Sequence, residues 1–364
     1  MKLRAIVVDD SLIFRKVVRD CLGQLRGVEV IDVAKDGMSA LDKIIKQRPD
    51  IVTLDVEMPV LDGLEVLKAL QREKVDSKVI MVSSHTERGA ATTTRALSIG
   101  AFDFILKPNL GSMEENQREL KEQLGQRIDL LRRRTLRSIG KDASPARPRV
   151  EAPVAKPVLA KRKPTRIGRL DAICIGISTG GPKALSELIS SLPAEINIPI
   201  LIVQHMPPLF TATLARGLHE SSQLKVVEAE DGMPLKGGVV YIAPGGRQMR
   251  VGGYAGAWTT EITDDEAVKA CKPSVDYLFS SAAQQFRSKM LAIVMTGMGD
   301  DGLVGCRKVA ERGGVIWSQD QASSTVFGMP RQIAQAGLAD EVRSLREICE
   351  GIKEHGCQRH LARV

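Results

Sequence analysis

The chain has 364 residues, and at roughly 150 residues per domain this length predicts about two domains, each able to bury a core. Apolar residues make up 43% and charged residues 26%, which is typical of a globular protein and excludes a disordered or fibrous one. The aromatic content of 3% argues against a protein that binds single-stranded nucleic acid by stacking. No run approaches about eighteen consecutive apolar residues and no signal peptide is evident, so we expect a cytoplasmic protein without membrane insertion.

Cysteine spacing gives no sign of a metal or disulfide motif. The six cysteines are far apart in the chain and form no C-x-x-C pair: Cys21, Cys174, Cys271, Cys306, Cys349 and Cys357. Neither a zinc site nor a disulfide framework is therefore indicated, and ordinary reduced thiols fit best.

Most of the net charge of +8 lies in one segment. Residues 141–170 contain nine Lys and Arg, two acidic residues and five prolines. Proline and repelling charges favour an extended chain, so we interpret residues 137–170 as a basic, Pro-rich interdomain linker rather than a nucleic-acid tail.

In the N-terminal half, short apolar runs alternate with helix-like segments. Helices are predicted over Ser11–Leu25 and Ser39–Gln47, and strands over Ala5–Val8, Val28–Val33, Ile51–Leu54, Val79–Val82 and Phe102–Leu106. Five strands separated by helices predict a doubly wound parallel sheet, in which ligands bind beyond the carboxyl ends of the strands.

Polar residues follow four of these strands: Asp9 and Asp10, then Asp55, Ser83 and Lys107. Three carboxylates at one sheet edge repel each other unless a cation lies among them, and their hard oxygen ligands suit Mg²⁺. Asp55 would then be a nucleophile toward an activated phosphoryl group, with Ser83 and Lys107 contacting its oxygens. An Asp-Asp pair alone is more often a solvated strand end. Together with Asp55, Ser83 and Lys107, each at the end of a strand, the pair is better explained as part of a phosphorylation site.

The motifs V-V-D-D-S, L-D-V-E-M-P-V-L-D-G, M-V-S-S and L-K-P resemble the receiver domain of two-component response regulators. The resemblance implies a flavodoxin-like receiver over residues 1–136, with Met113–Leu136 as its last helix. It implies phosphorylation of Asp55 by a histidine kinase, with Mg²⁺ held by Asp10, Asp55 and the Glu57 carbonyl and assisted by Asp9. It also implies switching through Ser83, Phe104 and Lys107, and a cis Lys107-Pro108 bond.

A second α/β sheet is predicted in the C-terminal half. Helices are expected over Lys183–Ser191, Leu209–Glu220, Ser274–Phe286 and Leu303–Arg312, and strands over Ala172–Ile177, Ile198–Val203, Lys225–Val227, Val239–Ala243, Leu291–Met295 and Gly314–Trp317. The segment Gly237–Thr263 contains Gly-rich turn signals and no helix pattern, which predicts an antiparallel β-hairpin insertion.

Three of these strands are followed by residues of a nucleophile–base–acid set. Ser178 lies in G-I-S-T-G-G-P, His205 in Q-H-M-P, and either Asp300 or Asp301 in T-G-M-G-D-D-G. A serine hydroxyl is a weak nucleophile unless a histidine takes its proton, and an acid orients that histidine. Taken singly, each residue has a simpler explanation as a phosphate-binding turn, a structural histidine or an acidic turn. The order Ser, His, Asp differs from that of α/β-hydrolases, which indicates a distinct serine-hydrolase fold.

The chain resembles the chemotaxis-specific protein-glutamate methylesterases, the CheB family. The motifs are I-G-I-S-T-G-G-P, I-V-Q-H-M-P, V-Y-I-A-P-G, P-S-V-D-Y-L-F-S-S-A-A, M-T-G-M-G-D-D-G and D-Q-A-S-S-T-V-F-G-M-P. The resemblance implies a methylesterase domain over 171–364 with Ser178 as nucleophile, His205 as base and Asp301 as its orienter. Thr179 and Met298 would lie near the oxyanion.

The implied activity is hydrolysis of glutamate γ-methyl esters on methyl-accepting chemotaxis receptors, together with deamidation of receptor glutamines. A chemotaxis histidine kinase would phosphorylate the receiver, which would cover the active site until then; the esterase domain needs no cofactor. Two alternatives remain at this point. One is a non-enzymatic response regulator whose second domain binds nucleic acid or a nucleotide, although no helix-turn-helix or RNA-binding pattern occurs in residues 171–364. The other is a general hydrolase of small esters.

Overall fold

The computed structural model describes residues 2–109, 111–139, 167–269 and 271–357. Two compact units divide between Val158 and Leu159. Most of the expected linker, residues 140–166, lies outside the described residues, so its extended conformation stays a prediction. Within the described ranges, no helix combines the length and apolar character needed to cross a membrane.

The first unit is a five-stranded parallel sheet with helices in the connections. Its strands are β1 (Leu3–Val8), β2 (Val28–Ala34), β3 (Ile51–Asp55), β4 (Lys78–Ser83) and β5 (Asp103–Leu106), in the order β2-β1-β3-β4-β5. Its helices are α1 (Leu12–Gly23), α2 (Gly37–Gln47), α3 (Gly63–Arg72), α4 (Glu87–Ile99) and α5 (Met113–Ile139). This strand order is the flavodoxin-like one, as predicted.

Local sequence fixes where several of these helices begin. Ser11 and Thr86 cap α1 and α4 by accepting hydrogen bonds from the third backbone N–H of each helix. Asp62 and Glu65 form a reciprocal capping box at the start of α3. Because caps satisfy amides that have no partner within the helix, the loops between strands and helices have defined ends, and these loops carry the polar residues at the sheet edge.

Two expectations for this unit need correction. The last helix continues to Ile139, three residues beyond the predicted end at Leu136. The expected cis Lys107-Pro108 bond is wrong, because the cis peptide bond found in the described residues is Lys272-Pro273.

The second unit is built on a seven-stranded parallel sheet. Its strands are β6 (Ala172–Ile177), β7 (Ile200–Gln204), β8 (Lys225–Glu228), β9 (Val239–Ile242), β12 (Met290–Val294), β13 (Val315–Gln319) and β14 (Glu341–Arg343), and β10 (Gln248–Tyr254) and β11 (Ala257–Thr263) form a separate hairpin. Its helices are α6 (Gly181–Ser191), α7 (Phe210–Glu220), α8 (Val275–Phe286), α9 (Leu303–Glu311), α10 (Met329–Gln335) and α11 (Leu345–Gly356).

The antiparallel hairpin is present but shorter than the predicted Gly237–Thr263 segment. Only β10 and β11 pair antiparallel, whereas β9, at the start of that segment, pairs parallel with both β7 and β8. Strand β14 and helices α10 and α11 were not predicted. The three residues of β14 are too few to show a periodic pattern.

The strand order β14-β13-β12-β6-β7-β9-β8 places a topological switch point between β6 and β12. The strands that follow β6, namely β7, β8 and β9, lie on one side of it, and β12, β13 and β14 lie on the other side. Gly176 in β6 pairs with Val294 in β12, and Ile177 pairs with Gln204 in β7, so the carboxyl ends of these three strands lie level. Ligands of open α/β sheets bind at such a point.

Candidate active site

Ser178 lies in a turn directly after β6, and backbone hydrogen bonds hold this turn in place. Its backbone N–H donates to the Thr296 carbonyl at 2.9 Å, and its own carbonyl accepts the Gly181 N–H at 2.7 Å. Gly180 has φ of 80° and lies against Thr325, whose Cβ would be 2.4 Å from any Cβ at position 180. Only glycine fits this left-handed, crowded position, so the sharp turn into α6 presents Ser178 at the sheet edge.

His205 follows β7, the neighbouring strand, and is tied to the Ser178 turn by Gln204. The His205 N–H donates to the Ile177 carbonyl at 3.2 Å. The buried Gln204 side chain donates from Nε2 to the carbonyls of Ser178 at 3.1 Å and of His205 at 3.3 Å. One amide therefore fixes the backbones of the proposed nucleophile and base relative to each other.

Asp301 is buried at the N-terminus of α8. Its carboxylate accepts five hydrogen bonds, from Ser274 Oγ, the backbone N–H groups of Val275, Asp276 and Gly302, and His205 Nε2. The first amides of a helix carry partial positive charge and have no partner within the helix, so they stabilise an ionised carboxylate. The side chain is thereby held rigidly toward His205.

His205 Nε2 lies 2.8 Å from Asp301 Oδ2. Burial lowers the pKa of His205, but the hydrogen bond to Asp301 and the nearby Cys271 thiol outweigh it and raise that pKa to about 9. Burial raises the pKa of Asp301, yet its bonds to His205 and the helix amides hold it below the ordinary value. With Nε2 engaged, Nδ1 is the ring nitrogen left for Ser178. Among the described residues no hydrogen bond joins Ser178 Oγ to the ring, a contact that often forms only with substrate.

The predicted oxyanion loop lies beside Ser178. The Met298 N–H has no hydrogen-bond partner among the described residues and is thus available to an oxyanion. The Thr179 carbonyl is held by Thr296 Oγ1 at 2.9 Å. The Ser178 N–H, bonded to the Thr296 carbonyl, is engaged in this state.

Gly297 brings this loop close to the nucleophile. A Cβ at position 297 would lie 2.8 Å from Ser178 Cβ and 2.5 Å from Met329 Sδ. Gly297 also donates to the Val326 carbonyl at 3.0 Å and accepts from the Met329 N–H at 2.9 Å. The segment before α10, which carries the D-Q-A-S-S-T-V-F-G-M-P motif, therefore supports the oxyanion loop.

Asp300, the alternative acid, points elsewhere. It is half-exposed and pairs with Lys269 at 3.0 Å, and Lys269 also lies 3.4 Å from the buried Asp276. Asp301 is the carboxylate that the structure brings to His205.

Sequence reasoning missed the supporting residues Ser274, Gln204, Thr296 and Cys271. Ser274 and Gln204 lie within the quoted motifs P-S-V-D and V-Q-H-M, and the helix after Ser274 identifies a cap. Thr296 likewise lies within the quoted motif M-T-G-M-G-D-D-G, whereas Cys271 carries no local signal, since its role depends on contacts with other loops.

The carboxyl edge of the first sheet brings together Asp9, Asp10 and Asp55, whose candidate ligand oxygens all lie within 4.8 Å of one another. Lys107 Nζ donates to Asp55 Oδ2 at 2.8 Å and lies 3.0 Å from Asp9 Oδ2, without hydrogen-bond geometry to the latter. Burial and repulsion from Asp9, opposed by Lys107, raise the pKa of Asp55 to about 7. Crowded oxygen ligands with excess negative charge fit a hard divalent cation such as Mg²⁺.

The other predicted receiver residues surround this cluster. The Glu57 N–H donates to Asp55 Oδ1 at 3.4 Å. Ser83 is fully buried and its hydroxyl donates to the Ser84 carbonyl, not to Asp55. Phe104 is also buried. Phe14, which the sequence did not suggest, lies under Lys107, with the ammonium 4.8 Å from the ring centroid.

Comparisons with known proteins match both units of the chain. A family model described as CheB methylesterase matches residues 173–352, and one described as response regulator receiver domain matches residues 5–116. A protein-glutamate methylesterase/protein-glutamine glutaminase of Desulfotalea psychrophila is 42% identical, over 96% of this chain and 97% of its own length. The chain belongs to the CheB methylesterase family.

Other CheB relatives extend the match. A Bacillus subtilis protein of the same name is 41% identical, covering 96% of this chain and 97% of its own length. The crystal structure of the Thermotoga maritima CheB methylesterase catalytic domain is 39% identical, with a TM-score of 0.50, and the match covers 51% of this chain and 99% of that one. A non-enzymatic second domain is therefore not favoured for this CheB chain.

Proposed function

We propose that this chain is a phosphorylation-regulated serine esterase. It hydrolyses glutamate γ-methyl esters on methyl-accepting chemotaxis receptors, releases methanol, and deamidates receptor glutamines by the same acyl chemistry. The observation that carries the proposal is the His205 Nε2 to Asp301 Oδ2 hydrogen bond of 2.8 Å, made beside Ser178 at the switch point of the sheet. The names of the full-length relatives support the substrate class.

In the proposed reaction, Ser178 Oγ attacks the ester carbonyl while His205 Nδ1 takes its proton. The buried Asp301 carboxylate orients the ring and stabilises the imidazolium. The Met298 N–H, helped by Thr179, stabilises the oxyanion, an effect typically worth about 3 kcal/mol per donor. The imidazolium then protonates the departing methoxide, or ammonia in the deamidation, and water hydrolyses the acyl-enzyme with His205 again as base.

The receiver supplies the regulation. A chemotaxis histidine kinase transfers a phosphoryl group to Asp55, and Asp9, Asp10, Asp55 and the Glu57 carbonyl would hold Mg²⁺. When bound there, the ion would supply positive charge to the transferring oxygens. Lys107, already at Asp55, contacts the phosphoryl group, and Ser83 and Phe104 change position in response. Since receptor methylation sites and kinase lie in the cytoplasm, we place the protein there as well.

The test is methanol release from methyl-labelled receptor membranes, with Mg²⁺ and with or without acetyl phosphate. Wild type should release methanol, and acetyl phosphate should stimulate it. Ser178→Ala should abolish release, whereas Ser190→Ala, an exposed serine on α6, should not. Asp55→Asn should keep basal release and lose stimulation. Release by Ser178→Ala at the wild-type rate would overturn the proposal. If added free small esters are hydrolysed as readily as the receptor esters and suppress methanol release from the receptor, the receptor is not the preferred substrate and the proposal fails as well.

A further inference from the structure

Cys271 lies close to the proposed catalytic pair, His205 and Asp301, although it is 66 residues after the first and 30 before the second in the chain. One ligand atom from each of Cys271, His205 and Asp301 lies within 4.8 Å of the other two. Thiolate sulfur, imidazole nitrogen and carboxylate oxygen are the three ligand types of protein zinc sites. The spacing of cysteines along the chain gave no hint of this set, because its ligands come from three different loops.

The Cys271 backbone is firmly held. Its N–H donates to the Val268 carbonyl at 2.8 Å, and its carbonyl accepts from Gln248 Nε2 at 3.3 Å. The fully buried Gln248 side chain also accepts the Ser274 N–H at 2.9 Å, and Ser274 Oγ donates to Asp301. The same framework therefore fixes the backbone that carries the Cys271 thiol and the Asp301 carboxylate, which places two of the three ligand side chains on a rigid support.

We propose that Cys271, His205 and Asp301 bind a thiophilic divalent metal ion, of which Zn²⁺ is the type, and that this binding inhibits the esterase. Zn²⁺ ligands at about 2.0 to 2.3 Å in tetrahedral geometry lie roughly 3.3 to 3.6 Å apart. The three ligand atoms lie within 4.8 Å of one another, so side-chain rotations that move them by about 1 Å bring them to that spacing. The Cys271 thiol and Nε2 of the His205 imidazolium each release a proton to water on binding, so one thiolate, one carboxylate and a neutral imidazole balance the two charges of the metal.

Inhibition follows from the role of the histidine, so this part of the inference rests on the proposed function. A metal at Nε2 places the ring proton on Nδ1, the nitrogen left for Ser178. Such a ring has no lone pair with which to take the serine proton. The metal thus acts as an inhibitor and not as a cofactor of the reaction.

The test for binding uses Co²⁺ as a probe, with the full-length, metal-free protein under reducing conditions. Wild type should give one equivalent of a near-ultraviolet thiolate-to-cobalt charge-transfer band. Cys271→Ser should lose the band and Cys357→Ser, at another half-buried thiol, should keep it. The oxygen ligands of the receiver cannot produce the band, so excess Mg²⁺ should leave it unchanged. A band that is absent in wild type or intact in Cys271→Ser overturns the site.

The test for inhibition is Zn²⁺ titration of methanol release, with each variant compared with its own metal-free rate. The half-inhibitory concentration should rise at least tenfold in Cys271→Ser, stay at the wild-type value in Cys357→Ser, and recover in Cys271→His, which restores a ligand. Equal inhibition of wild type and Cys271→Ser overturns the inhibitory role. If no variant releases methanol but the cobalt band is present, the esterase proposal fails while the metal site stands.

Discussion

Replacing Asp301 with asparagine tests how the proposed base works. Three of the five donors at Asp301 point at Oδ1 and two at Oδ2, one of which is His205 Nε2. An asparagine that keeps its oxygen where three donors converge turns its NH₂ toward His205. Nε2 must then accept a hydrogen bond, the ring proton moves to Nδ1, and the ring can no longer take the proton of Ser178.

The size of the effect depends on pH. A pKa raised from 6.5 to about 9 corresponds to a preference of about 3 kcal/mol for the imidazolium in wild type. At pH 7 only about 1% of His205 is the neutral base, so wild-type kcat/KM should rise about tenfold per pH unit up to pH ~8 and level off above ~9. Asp301→Asn removes the hydrogen bond that contributes most to the raised pKa and leaves only the contribution of Cys271, so its profile should be much flatter than that of wild type over this range.

A wrong tautomer costs about 10⁴-fold in rate where the wild-type base is fully neutral. The loss in Asp301→Asn should therefore be about 10⁴-fold above pH ~9 but only about 10²-fold near pH 7. The assay is methanol release from receptor membranes over this range, with Ser178→Ala measuring uncatalysed hydrolysis. Ratios of variant to wild type cancel any effect of pH on the receiver.

Asp300→Asn is the matched control, because its carboxylate pairs with Lys269 outside the triad. It should follow the wild-type profile. A loss in Asp301→Asn that is equal at both ends of the range, or an Asp300→Asn profile like that of Asp301→Asn, would refute the reasoning.

Four further predictions follow from other contacts. The folded state stabilises protonated His205, and this contribution to stability is complete below pH ~6.5 and lost by pH ~9. The wild-type melting temperature, measured by circular dichroism, should therefore fall over this window more than that of Asp301→Asn; parallel curves would contradict this. Gly297→Ala places a Cβ 2.8 Å from Ser178 Cβ and should reduce methanol release at least ~tenfold with an unchanged circular dichroism spectrum, whereas full activity would show that the loop can move away. EDTA should abolish stimulation by acetyl phosphate but leave basal methanol release, because the crowded carboxylates at Asp55 then lack their cation; stimulation that persists in EDTA would exclude the metal's role. Arg343→Met removes a guanidinium 3.8 Å from the Trp317 ring centroid and should lower the free energy of unfolding by about 1 kcal/mol in urea, with the exposed Arg346→Met as a near-neutral control; equal effects would assign no value to the stacking.

The repeating pattern of buried strand followed by polar residue was enough to predict which residues lie at the carboxyl edges of the two sheets. Ser178 and Asp55 follow an apolar run directly, and His205 follows one after Gln204; the carboxyl ends of parallel strands meet at one edge of a sheet. Turn glycines and helix caps are equally local, because each acts on neighbouring backbone. Strand β14 could not be predicted in this way, because three residues are too few to show a periodic pattern. The pairing of β9 with β7 could not be predicted either, since strand pairing depends on segments far apart in the chain.

The sequence by itself determined the two α/β units, the order of most strands and helices, and which residue types lie at the sheet edges. The residue pattern by itself left Asp300 and Asp301 open, the family resemblance implied Asp301, and the tertiary structure brings that carboxylate to the histidine. Asp300 and Asp301 are adjacent and chemically identical, but one points to Lys269 at the surface and the other is buried under the first amides of α8. It also brought Gln204, at the end of β7, together with Cys271 and Ser274 from the loop before α8. Such contacts join residues far apart in the chain, and hydrophobic periodicity holds information about burial but none about which buried partners meet.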